Sequence, residues 1–373
     1  MKKSTKQPNP LTTSSDAPSH ATVAGATRYA DRFRQQLATD FYRSSPLGAP
    51  ISSIGLGTYL GDATDVVDAE YVSSARRSIA SGINLLDTAI NYRCQRSERA
   101  LCVAIQAAVQ AGEATRDELV VCTKGGYIPL DRSTPASRAD YQAYVQREFI
   151  DTEILLAQDI VAGGHSLAPR FIRYCIAKSR QNLGLRSIDV YYIHNPEQQL
   201  GSVSADELYE RLEATFVVLE EAADRDEIAH YGIATWDGLR TGPDQSGHLS
   251  LERVVQAAER VGGKEHRLRA VQLPVSLAMS EAVRMPTQSV NGRPLTVLEA
   301  AGELGLAVIS SATLMQGRLT TGLPPGIREH FRELESDAQR AIAFARTIDG
   351  LDACLVGMKS AAHVEENLRA APG

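Results

Sequence analysis

The sequence predicts an α/β fold, a single (β/α)8 TIM barrel with a long loop insertion on its C-terminal face. Three observations carry this. Eight short, β-branched apolar runs recur along the 373 residues, at 54–58, 83–89, 119–123, 188–194, 228–235, 270–275, 306–311 and 353–357. They are nearly continuous, as strands covered on both faces must be. Longer amphipathic stretches separate them, which is the beat of parallel strands joined by helical crossovers, and eight is the number that closes a barrel. The alternative is an open doubly wound sheet, which carries a GxGxxG turn after its first strand. Here that strand reads Gly55-Leu56-Gly57-Thr58-Tyr59, without the third glycine or the helix start.

The elements follow in order. After the second run, Ser97 is placed to cap a helix whose Leu101, Ile105, Ala108 and Val109 share a face, and Gly112 stops it. Residues 126–170 interrupt the beat between the third strand and its helix. A loop of that length in a compact domain usually acts on something, so a lid or substrate loop is expected. Pro169 suits a first helical turn, Ile172, Ile176 and Leu183 share a face, and Gly184 ends that helix. Tyr209, Leu212, Phe216 and Leu219 repeat the pattern, and a polar, Gly-rich loop spans 237–250. Pro294 is expected to open the next helix and Gly305 to close it. The domain plan is a disordered tail and lead-in over 1–45 and one barrel over 46–373.

Composition narrows the function classes. Apolar residues are 43% and charged residues 23%, so global disorder and fibrous structure are excluded. A net charge of −6 argues against a nucleic-acid binder, and the apolar runs are too short to span a membrane. The polar, Ser-, Thr- and Pro-rich start has basic Lys2, Lys3 and Lys6 but no apolar segment after them, so no secretory signal is expected. Five scattered cysteines without a CxxC pair point to free thiols in a reducing compartment, the cytoplasm. The eight histidines form no HxH or HExxH pair, so no metal site is expected.

Buried strands should not end in ionisable groups without cause. Three of these do, at Asp87, Lys124 and His194, with Tyr92 five residues after Asp87. Singly, each has an ordinary reading as a turn cap, a solvated rim residue or a structural histidine. Together they fall where three successive strands end, and barrel strand ends converge on one rim. A phenol with a pKa near ~10 is a poor acid at neutral pH, and an adjacent ammonium is expected to lower it. Asp87 would offset the burial of Lys124, and His194 can donate to a bound carbonyl oxygen.

At these residues the chain resembles the aldo-keto reductase superfamily. Asp87-Thr88-Ala89-Ile90-Asn91-Tyr92, followed by Ser97-Glu98, looks like that family's DTAxxYGxSE signature. The segment with Lys124 resembles its lysine strand, and Asp189-Val190-Tyr191-Tyr192-Ile193-His194-Asn195-Pro196 resembles its DxYxIHxP segment. The resemblance implies an NADP(H)-dependent barrel, less often NAD(H), with Tyr92 as proton donor and acceptor in the tetrad Asp87, Tyr92, Lys124 and His194. It also implies cofactor contacts at Gly57 and Thr58, at Gln272 against the nicotinamide amide, and at Gly357, Lys359, His363, Glu366 and Asn367 around the 2′-phosphate and adenine. Lys359 favours NADP(H), because its ammonium would pair with a phosphate that NAD lacks.

The chain departs from the pattern in three places. Ala234-Thr235 stands where the family often has Ser-Asn, so only the Thr235 hydroxyl is left to meet the nicotinamide amide. Ser311 stands where a stacking tyrosine is common, and the loop after Tyr92 is longer within 93–96. The pocket is expected between Tyr59, Trp236 and part of 126–170, taking a small-molecule carbonyl or alcohol. The expected function is carbonyl reduction by hydride transfer, or its reverse. The alternative is a nucleotide-binding auxiliary barrel with little turnover.

Overall fold

The computed structural model describes residues 18–373. Its centre is a closed barrel of eight parallel strands. They are β1 Ile54–Gly57, β2 Leu85–Asp87, β3 Val120–Gly125, β4 Ile188–His194, β5 Ile228–Ala234, β6 Leu268–Pro274, β7 Ala307–Ser311 and β8 Ala353–Gly357. The barrel closes where Val356 and Gly357 of β8 pair with Leu56 and Gly57 of β1. Each predicted run is one of these strands.

Ten helices frame the description: α1 Val23–Phe33, α2 Asp65–Ala80, α3 Arg96–Gln110, α4 Arg138–Val145, α5 Pro169–Leu183, α6 Ala205–Asp224, α7 Leu251–Gly262, α8 Val297–Glu303, α9 Asp337–Arg346 and α10 Ala361–Leu368. Pro169 is the first residue of α5, and Gly184 ends it at φ 64°, a left-handed turn that favours glycine. Two expected helix starts are corrected. Ser97 lies inside α3, which begins after Gln95, and its hydroxyl donates to the Thr58 carbonyl at 2.8 Å. Pro294 lies in a short ribbon, Arg293–Leu295 against Gln288–Val290. α8 instead starts from Thr296, whose side chain and Glu299 form a reciprocal capping box.

The pleat divides the core into two shells. Leu85, Val120, Cys122, Val190, Tyr192, Ala270, Ala307, Ile309, Ala353 and Leu355 form one buried cluster inside the barrel. Alternate residues, among them Leu86, Val121, Tyr191, Ile193 and Val271, join the larger cluster between sheet and helices. Gly232 of β5 lets the Tyr192 ring pass: a Cβ there would lie 2.8 Å from that ring and 2.3 Å from the Ala270 carbonyl.

The lead-in is not a tail over its whole length. Residues 1–17 lie outside the described residues, but α1 packs under the barrel, at the end opposite the strand C-termini. Tyr29 is fully buried and donates to the carbonyls of Ile79 and Ile83. Arg28 and Arg32 both pair with Glu118, at 2.9 and 2.7 Å. These long-range anchors dock the segment, and Thr22 caps its helix locally by accepting from the Gly25 N–H at 2.9 Å.

The 126–170 insertion folds back on itself. Tyr127 bridges to His165, and the Ile128 N–H bonds the Gly164 carbonyl at 2.8 Å. Between those ends, α4 and the turn after it bury Phe149 against the rings of Phe171 and Tyr174 of α5. The bulk of the insertion therefore braces the outside of the barrel. Among the described residues, no helix is long and apolar enough to cross a membrane.

Candidate active site

The period of two that fills the barrel also builds the site. Asp87 follows Leu85, Lys124 follows Val120 and Cys122, and His194 follows Val190 and Tyr192, each two residues on along an inward-facing row. Gln272 continues the row of Ala270 in the same way, Ser311 that of Ala307 and Ile309, and Gly357 that of Ala353 and Leu355. Each faces inward at or near the C-terminal end of its strand, so six side chains or glycines from six strands meet at the C-terminal rim.

Lys124 is fully buried, and its Nζ bonds Asp87 Oδ1 at 2.5 Å and the Thr88 carbonyl at 2.8 Å. It also lies 4.9 Å from the centre of the Tyr92 ring. The Tyr92 ring meets the Tyr59 ring edge-on at 5.1 Å and the His194 ring at 5.8 Å. The four predicted residues therefore converge. Burial pushes the Asp87 carboxyl up, against the pull of Lys124. Burial disfavours the Lys124 ammonium most strongly of any single effect, but the charges of and hydrogen bonds to Asp87 and Tyr92 together exceed it and raise its pKa, so the cation is retained. For Tyr92 the expected lowering is overturned: burial raises the phenol more than Lys124 lowers it. The phenol is accordingly held as a proton carrier. Burial, with Lys124 next, holds His194 well below the usual range, so its imidazole is neutral.

A second layer holds these groups. Gln272 Nε2 donates to Asp87 Oδ2 at 2.9 Å, so this glutamine orients the tetrad and leaves its carbonyl for another donor. The longer loop after Tyr92 turns through three left-handed residues, Arg93, Cys94 and Gln95. Arg93 is buried, pairs with Asp68 and donates to the Asp62 carbonyl. His165 bonds the His194 carbonyl through Nε2 at 2.7 Å, and its Nδ1 meets Gln199 Nε2, also at 2.7 Å. An amide donor at Nδ1 puts the ring proton on Nε2, so His165 donates to His194 as a neutral imidazole.

This neutral burial has a pH consequence. Burial pushes His165, and His230 near the other end of the barrel, down to about 4, against an ordinary 6.5. The unfolded chain binds these protons first, so the contribution is complete above pH 6.5 and is lost as pH falls through 6.5 to about 4. The loss is on the order of 3 kcal/mol for each histidine. Urea unfolding from pH 7 to 4 is expected to show falling midpoints, and His165→Gln to flatten that slope.

Two cavities meet at Tyr92. The first, of about 580 Å³, runs from Asp87 and Tyr92 past Gly57, Thr58, Gln272 and Ser311. It continues to Gly357 and Lys359 at the end of β8 and to His363, Glu366 and Asn367 along α10. All the predicted cofactor positions except Thr235 line it. Lys359 is 3.4 Å from Glu70 Oε2 and remains half-exposed. The second cavity, of about 400 Å³, is lined by Tyr59, Tyr92, His194, Thr235 and Trp236, and both predicted pocket aromatics are there. Thr235 is buried, and its hydroxyl has no hydrogen-bond partner among the described residues. That orphaned hydroxyl beside Gln272 and Ser311, with an ammonium at the far end of the groove, fits a nicotinamide dinucleotide.

Sequence reasoning missed several wall residues. Asn91, Tyr127, Asn195 and Gln316 line the second cavity. Tyr127 is the insertion's contribution: its ring stands edge-on to His194 at 5.1 Å, and its hydroxyl accepts from Asn195 at 2.9 Å. Its position directly after Gly125-Gly126, at the end of the lysine strand, was the available signal.

A closed parallel barrel with a buried Lys–Asp pair, a tyrosine and a neutral histidine converging at its C-terminal rim defines a protein of the TIM-barrel class. The family model described as "Aldo/keto reductase family" matches residues 53–372, and the chain belongs to that family. It is 32% identical over 141 residues to a D-threo-aldose 1-dehydrogenase from a Pseudomonas species, covering 37% of this chain and 38% of that enzyme. Two solved structures share the fold. One is an aldo/keto reductase from Klebsiella pneumoniae in complex with NADP and acetate, 19% identical, with a TM-score of 0.59 over 88% of this chain and 89% of that one. The other is the holo form of an aldo-keto reductase from Bacillus halodurans, 18% identical, with a TM-score of 0.55 over 88% and 90%.

Proposed function

We propose that the protein is an NADP(H)-dependent oxidoreductase interconverting an aldehyde or ketone and its alcohol, with Tyr92 as general acid/base. NAD(H) is the alternative cofactor, and the free buried thiols suit a cytoplasmic setting. The carrying observation is the convergence of Asp87, Tyr92, Lys124 and His194 where the two cavities join. The nicotinamide, when bound, supplies or accepts the hydride. Neutral His194 orients the carbonyl by a hydrogen bond to its oxygen. Tyr92 gives that oxygen its proton during reduction and takes it back during oxidation, while Lys124 stabilises the phenolate between the two. Asp87 and Gln272 keep Lys124 in place.

The test is NADPH and NADH binding to the full chain, followed by a screen of carbonyls and alcohols. The aldose dehydrogenase relative places aldoses in that screen. Tight NADPH binding with no turnover across it would favour the auxiliary barrel instead. Lys359→Ala is expected to weaken NADPH binding by about tenfold or more and leave NADH unchanged, because a charged hydrogen bond contributes about 1.5–3 kcal/mol. Equal losses for both nucleotides, measured by fluorescence titration, would remove Lys359 from the 2′-phosphate site.

A further inference from the structure

We propose that Glu197 is a positioning residue whose buried carboxylate holds Trp236 at the mouth of the substrate cavity, and so sets affinity for substrates with bulk beyond the reacting carbon. This rests on reading the cavity of Tyr92, His194 and Trp236 as the substrate site. Trp236 follows β5 closely and is 44% exposed, so packing alone does not fix a side chain of that size. Its peptide is held from two sides instead. Glu197 Oε1 accepts the N–H groups of Trp236 at 2.7 Å, Asp237 at 3.2 Å and Gly238 at 3.5 Å. From the other side, Arg240 Nε donates to the Trp236 carbonyl at 3.1 Å, and its guanidinium bonds Asp237 at 2.8 Å and Glu281 at 3.0 Å.

Glu197 is itself buried, and among the described residues no cation pairs with it. A carboxylate in that setting is costly unless its hydrogen bonds are satisfied. Three backbone N–H donors converge on Oε1, while Oε2 is buried with no hydrogen-bond partner among the described residues; burial pushes the carboxyl up and the three donors oppose that rise. Glycine at 238 permits the approach: a Cβ there would stand 3.1 Å from the Cβ of Glu197 and 3.2 Å from that of Leu249. Glu197 also lies three residues after His194, in the turn Pro196–Gly201. The end of β4 and the turn directly after it therefore carry the catalytic imidazole and the anchor of the opposite wall.

Trp236 is the only tryptophan in the sequence, so its emission reports the wall directly. Glu197→Gln keeps the shape and removes the charge, and charge-assisted hydrogen bonds are roughly twice as strong as neutral ones. In the full chain, acrylamide quenching of Trp236 is expected to rise about twofold, and KM for 4-nitrobenzaldehyde about fivefold, the equivalent of ~1 kcal/mol. The kcat, the NADPH affinity and the KM for propanal are expected to stay within about twofold. Unchanged quenching and unchanged KM for the bulky aldehyde would overturn the proposal.

Gly238→Ala retains the carboxylate but crowds it, and should reproduce the same signature if Glu197→Gln does not fold. In a Trp236→Ala background, Glu197→Gln should add nothing to KM. Additive effects would show that Glu197 acts elsewhere, and would also overturn the proposal. Absence of turnover by the unaltered protein would overturn the oxidoreductase reading, and the quenching comparison would then decide on its own whether Glu197 holds Trp236.

Discussion

Tyr92→Phe is expected to lower kcat for carbonyl reduction by about 10²–10⁴-fold, the usual contribution of a positioned acid, with NADPH affinity within about twofold. The substitution removes one oxygen. The ring contacts with Tyr59, Lys124 and His194 survive it, so the fold and both cavities should persist. The pH profile adds an independent check. Burial keeps the phenol protonated well into alkaline pH despite Lys124. Reduction consumes the protonated form and should stay flat until the phenol ionises. Oxidation of the alcohol needs the phenolate and should rise with pH. Carbonyl-dependent NADPH oxidation undiminished in the variant would mean that another group carries the proton.

Lys124→Met combines a catalytic and a structural loss. Removing the ammonium leaves Asp87 buried with Gln272 as its remaining side-chain partner. Breaking a buried pair on one side typically costs about 3–5 kcal/mol, whereas replacing both partners is often close to neutral. Urea unfolding should therefore show a large loss for Lys124→Met, and recovery of most of it in Asp87→Asn/Lys124→Met. Activity should not recover, since neither variant retains a cation beside Tyr92. Recovery of turnover in the double variant would reduce the pair to scaffolding.

The sequence was most legible where one physical rule acted locally. β-Branched runs buried on both faces gave the eight strands, and their inward alternation delivered Asp87, Lys124 and His194 to one rim. What escaped depends on partners distant in the chain. Ser97 looked like a cap because it precedes an apolar helical face, yet its hydroxyl serves the Thr58 carbonyl, and the helix starts from a left-handed turn. Residues 23–33 carry a local cap at Thr22, but where that helix docks is set by Glu118 and the carbonyls near Ile79. The insertion was correctly marked as purposeful, but its direction was invisible: only at Tyr127 does it reach the cavity, and through His165 it steadies His194. A net pKa is equally non-local, because the burial of Tyr92 opposes its neighbour Lys124 and exceeds it.

The segment after the first helix meets the last residues of the chain under the barrel: Leu37 bridges to Pro372, and the Ala38 N–H bonds the Ala371 carbonyl at 3.2 Å. That junction lies on the face away from Tyr92 and both cavities. The same face offers an attachment point for immobilising the protein on a support, with the rim that carries Tyr92 turned outward to solution.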